Sequence, residues 1–143
     1  MSYPNIQTAV NQYKQVGVQS GLTDATPYRL VQMLMEGALE RVSKAKGTMQ
    51  RHDFIEKGRY ITSAMSIIDG LRGSLDFEVG GEIAVNLDNL YEYMNRRLME
   101  ANTSNNPDLL DEVSQLMSTI KEGWDGVPVS IQEEHARSKS ANA

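Results

Sequence analysis

The stretch from Gly81 to Leu110, GEIAVNLDNLYEYMNRRLMEANTSNNPDLL, decides the fold, because it holds a whole amphipathic helix, its stop and the start of another. Ile83, Leu87, Leu90/Tyr91, Met94, Leu98 and Ala101 recur every three or four residues, which places them on one face of a helix with 3.6 residues per turn. The pattern predicts a helix from about Glu82 to Asn102. The polar run Asn102-Thr103-Ser104-Asn105-Asn106 closes it. Asn106 then offers a side-chain oxygen to the first free amides of a new helix, and Pro107 takes its first position, where a missing N–H costs nothing. That helix carries Leu109/Leu110, Val113, Leu116/Met117, Ile120 and Trp124 on one stripe and stops at Gly126 and Pro128.

The same punctuation continues upstream. Thr26-Pro27 opens a helix with the stripe Val31, Leu34/Met35, Ala38, Val42, Ala45 and Met49, ending near residues 50–52. Asp53, with Glu56 three residues on, reads as a capping box for a second helix. Its stripe is Phe54/Ile55, Gly58, Ile61, Met65, Ile68, Leu71 and Leu75. Residues 76–81 break that pattern, since Gly80-Gly81 favours a turn. Connections this short force neighbouring helices antiparallel, so the expected fold is all-α, an up-down-up-down four-helix bundle over residues 26–126. Residues 1–25 form a leading segment in which Ile6, Val10 and Tyr13 share one face, followed by a linker. An amphipathic piece this short needs something to dock on. Residues 127–143 read as a polar tail.

With 143 residues the chain suits one domain with a sizeable core. It has no cysteine, which removes disulfides, thiolate metal sites and cysteine nucleophiles. A net charge of −5 runs against a nucleic-acid surface. No apolar run approaches the roughly 20 residues of a membrane span, and Met1-Ser2-Tyr3-Pro4-Asn5 lacks the layout of a secretion signal, so the expected home is the cytosol. The two histidines, His52 and His135, have no Glu three residues before them, so the di-iron pattern of helical bundles is missing. Gly80-Gly81 lacks the spacing of a phosphate loop. The reading is a binding protein with no cofactor, not an enzyme.

Apolar residues exceed what an inward stripe needs. Leu30-Val31-Gln32-Met33-Leu34-Met35 is apolar nearly all round, the third helix adds Tyr93 and Met99 outside its stripe, and the second adds Tyr60 and Ile67. Neighbouring helices could cover the surplus, or it could form grooves for a partner's amphipathic helices. Seven methionines beyond Met1 fit the second reading, being flexible and polarizable. A self-associating adaptor bundle would use the same surplus differently.

Longer motifs then bring a family into view. Thr26-Pro27-x-x-Leu30-Val31-x-Met33-Leu34-x-x-Gly37-Ala38 resembles the opening helix of the flagellin-specific export chaperones, the FliS family. So does the run from Gly80-Gly81-Glu82-Ile83-Ala84 through Leu90-Tyr91-x-Tyr93-Met94-x-Arg96-Arg97-Leu98 to Ala101-Asn102, with further likeness at Lys57-Gly58, Ala64-x-x-Ile67-Ile68 and Glu112-Val113. Thr26 stands where the family usually has serine, and Met35-Glu36 where an aromatic and an aspartate are common. The resemblance covers roughly residues 5–125. It implies a bacterial cytosolic chaperone that binds the disordered C-terminal region of flagellin, prevents premature polymerisation and aids delivery to the flagellar type III export gate. Under that resemblance Ile61, Met65, Ile68, Leu87, Tyr91, Tyr93 and Met94 are candidate flagellin contacts. The competing reading makes them plain core, most of all Ile68, Leu87 and Met94. Val10 and Tyr13 resemble the family's pair that contacts the export gate; alternatively they plug a groove of their own bundle.

Overall fold

The computed structural model describes residues 26–127. Four helices follow in order: α1 (Pro27–Gln50), α2 (Phe54–Gly73), α3 (Phe77–Ser104) and α4 (Pro107–Asp125). The connections are residues 51–53, 74–76 and 105–106, each too short for anything but an antiparallel return. Each helix packs against its chain neighbours, α4 closes the ring on α1, and the two diagonal pairs stay apart. That is the expected all-α bundle, with its core along the common axis. The closest pairing is α1 with α2, where Ala38, Ala45 and Ala64 are fully buried and let the backbones approach. Leucine, isoleucine, valine, methionine and Tyr91 fill the rest of the core.

The helix starts obey the sequence. Thr26 Oγ1 accepts from the Arg29 amide (3.1 Å), Asp53 Oδ1 from Glu56 (3.4 Å) and Asn106 Oδ1 from Asp108 (3.0 Å), and both Pro27 and Pro107 sit in first turns. Only half of the capping box forms, because the Asp53 amide already donates to the Thr48 carbonyl and Glu56 turns out to Arg59 (3.1 Å). Two expected stripe positions are corrected as well. Phe54 and Ile55 lie outside the seam, exposed, with Phe54 stacked on His52.

The start of α3 differs from expectation. Asp76 Oδ1 accepts from the amides of Glu78 and Val79, both at 3.1 Å, and so caps a helical turn that begins at Phe77. The break falls at one residue inside that span, Gly81, with φ 50° and ψ −124°. The buried seam of α3 is Ala84, Tyr91, Met94, Leu98 and Ala101, with Leu87 partly buried. Ile83, expected on that seam, is 71% exposed, since Ala84 occupies the inward position instead.

The flank where α3 meets α2 is polar. Arg72 pairs with Asp88 (2.8 Å), and Asn95 donates to Asp69 (2.9 Å), whose carboxyl is pushed up by burial against the opposing pull of Arg72 and Asn95. Lys57, 5% exposed, donates its ammonium to the Asn102 carbonyl (2.8 Å) and to Asn105 Oδ1 (2.6 Å). Asn105 ends α3 in the left-handed conformation, so one cation from the start of α2 satisfies the last turn of α3, the end where the helix dipole favours positive charge. Replacing Lys57 with methionine keeps the stem but strands that carbonyl, and is expected to cost about 1–3 kcal/mol. Urea unfolding measures it; an unmoved midpoint would contradict the capping role.

Candidate functional site

Closing the bundle consumes most of the surplus apolar residues, though not all. Met33, Leu34 and Met35 are buried on α1, Ile67 is buried on α2, and Tyr60 is partly covered with the Lys44 ammonium 5.8 Å from its ring. Five of the seven internal methionines (Met33, Met35, Met49, Met94 and Met117) lie in the core, so methionine content marks packing here more than an adaptable surface. What stays in solvent is concentrated on the first half of α3: Phe77, Val79, Ile83, Val85 and Leu90. A second, smaller group, Phe54, Ile55 and Met99, sits where α2 begins and α3 ends.

The geometry of α3 explains the larger group. Ile83, Leu90 and Arg97 are spaced by seven residues and so share one flank. Arg97 shows which flank, because its Nε meets Glu112 of α4 at 2.7 Å. Tyr93 on the same side donates its hydroxyl to the other Glu112 oxygen, also at 2.7 Å. Arg97 first and Tyr93 second hold the Glu112 carboxyl below its usual range. Among the described residues these side-chain hydrogen bonds from α3 to α4 all converge on Glu112, near the start of α4.

The far end of α4 is held elsewhere. Trp124 stacks on Tyr28 of α1 with ring centres 4.7 Å apart and donates Nε1–H to the Tyr28 carbonyl (3.1 Å). Gln32 and Lys121 add polar ties to Asp125, and Lys121 approaches Glu36 of α1. With the end of α4 fastened to α1, the α4-facing flank of α3 keeps Ile83 and Leu90 uncovered, beside the partly buried Leu87. On α4, Leu116 and Ile120, one and two turns beyond Glu112, are likewise only partly buried. The result is an apolar surface that extends over about two turns of α3, from Ile83 to Leu90.

The expected site residues divide sharply. Ile61, Ile68, Tyr91 and Met94 are at most 2% exposed, so in the closed bundle they are core. Met65, Leu87 and Tyr93 are half-buried and reachable from outside. Val10 and Tyr13 lie outside the described residues, as do the rest of the leading segment and the tail beyond Val127. Sequence reading missed Phe77, Val79 and Val85, and it placed Ile83 and Leu90 inside, although both are exposed. The available signal was Val85, an apolar side chain two residues beyond Ile83, which no single helix stripe can bury along with it.

A bundle that hydrogen-bonds its helix ends and fills its core, yet leaves branched apolar side chains in water along one helix, belongs to the class of helical binding proteins. The chain belongs to the Flagellar protein FliS family, which it matches over residues 9–130. It is 56% identical over 119 residues to the flagellar secretion chaperone FliSB of Pseudomonas aeruginosa, covering 83% of this chain and 94% of that one. It is 44% identical over 116 residues to the flagellar secretion chaperone FliS of Vibrio cholerae (81% and 85% covered), and 42% over 118 residues to that of Salmonella typhimurium (82% and 87%). This is a family of flagellar secretion chaperones, not of enzymes.

Proposed function

We propose that this flagellar secretion chaperone takes flagellin as its client. It binds the disordered C-terminal region in the bacterial cytosol, prevents polymerisation before export and hands the subunit to the flagellar type III export gate. One observation carries the reading: the α4-facing flank of α3, with Ile83, Leu87 and Leu90, remains apolar and open after the bundle has closed. A filament subunit's terminal region has apolar faces meant for packing in the filament, and such a flank covers them in the meantime. Because the client orders itself on binding, part of the contact energy is spent on that ordering, and release stays feasible.

In this reading Leu87 and Tyr93 touch the client together with Ile83 and Leu90, and Met65, on the α2 side of α3, meets a separate stretch of it. Ile61, Ile68, Tyr91 and Met94 set the floor and the helix spacing beneath. Val10 and Tyr13 serve docking at the gate or cover the flank when no client is present. Size-exclusion chromatography with light scattering tests the reading against a self-associating adaptor. The expected result is a monomer that becomes a 1:1 complex with flagellin; an obligate oligomer indifferent to flagellin would refute it.

A further inference from the structure

Gly81 sits inside α3 at φ 50° and ψ −124°, a conformation essentially confined to glycine. Its neighbour adds an independent constraint, because a Cβ on Gly80 would lie 2.9 Å from the Ala84 Cβ. The kinked backbone therefore needs glycine at both positions. A straight helix needs it at neither, since side chains four residues apart normally stand about 5–6 Å from each other.

The residues before the kink are written for the straight helix. The buried seam of α3 runs 84, 87, 91, 94, 98, 101 in alternating steps of three and four, and stepping back by four and then three reaches Gly80 and Phe77. Val79 precedes Ile83 by four residues and would extend the exposed flank by one turn. In the kinked form both side chains are in water, Phe77 at 45% and Val79 at 73% exposure. A phenylalanine in register with a core seam, yet displaced from it by a backbone only glycine tolerates, marks an element with two arrangements.

We propose that α3 is a two-state helix hinged at Gly80-Gly81, and that an amphipathic helix docking on Ile83, Leu87 and Leu90 selects the straight form. The client rests on the function proposed above. Straightening seats Phe77 at the end of the seam and adds Val79 to the docking flank, so the client makes contacts in one state that the other lacks, which is what shifts the balance. The glycines keep the straight form from prevailing beforehand, because glycine is the poorest helix former after proline.

Fluorine NMR on the full chain labelled with 4-fluorophenylalanine reads the hinge directly, since Phe54 and Phe77 are the two phenylalanines and Phe54 serves as control. The probe is the shift difference between H2O and D2O, large for an exposed ring and small for a buried one. Gly81→Ala and Gly80→Ala are each expected to reduce it at least twofold at Phe77 and leave it unchanged at Phe54. Adding the flagellin C-terminal segment to the wild type should do the same, and each alanine variant should bind that segment about fivefold more tightly. A Phe77 signal unchanged in both variants overturns the hinge, whether or not flagellin binds. A segment that binds while Phe77 stays exposed overturns the coupling. Failure of the segment to bind refutes the client assignment instead, with the free variants still deciding the hinge.

Discussion

Tyr91→Ala is expected to remove about 3–5 kcal/mol of folding stability, the usual cost of deleting a buried aromatic side chain and leaving a cavity. Tyr91 is 2% exposed, one turn from Leu87 and from Met94 on the α3 seam, and burial raises its phenol far above the ordinary tyrosine range. A charge at 91 would break the core rather than probe a surface. Urea unfolding should show the midpoint falling with the slope m unchanged, the mark of lost stability without a change in exposed area. A loss under about 1 kcal/mol would mean that the helices do not close around this ring as described.

Ile83→Glu and Leu90→Glu are expected to do the reverse, leaving stability within about 0.5 kcal/mol and weakening flagellin binding about 30-fold or more each. Both positions face solvent in the free protein, at 71% and 37% exposure, and glutamate is a good helix former, so the fold has little reason to respond. In the complex the carboxylate would be buried unpaired against apolar side chains. Calorimetric titration with the flagellin C-terminal segment measures the affinity, and thermal unfolding checks the fold. Wild-type binding by both variants would take this flank out of the site. Tyr91 and Leu90 are neighbours in sequence, yet their expected phenotypes are opposite, because one is packed in the core and the other is exposed.

That contrast also shows how far residue patterns reach. The four helices, their proline starts, the caps Thr26, Asp53 and Asn106 and the antiparallel order were legible, since each depends on local chemistry within one turn. The beginning of α3 was not. Its cap, Asp76, lies before paired glycines, and whether Gly81 adopts a helical or a mirror-image conformation is a choice that glycine leaves to tertiary contacts. The burial of Met33 and Ile67 was hidden for a related reason. An all-round apolar helix segment states that it needs covering, without stating whether its own bundle or a partner does so. Ile83 against Ala84 is the sharpest case. A 100° rotation separates core from docking flank, and only the packed α4, drawn towards α1 by the Trp124–Tyr28 stack, decides between them.

The central claim is that leftover apolar side chains on α3 receive one end of flagellin. Titrating the chaperone with intact flagellin, and in parallel with flagellin cut short at its C-terminus, tests it most directly. Saturable 1:1 binding by the intact subunit and none by the shortened one is the predicted result; equal binding by both would contradict it.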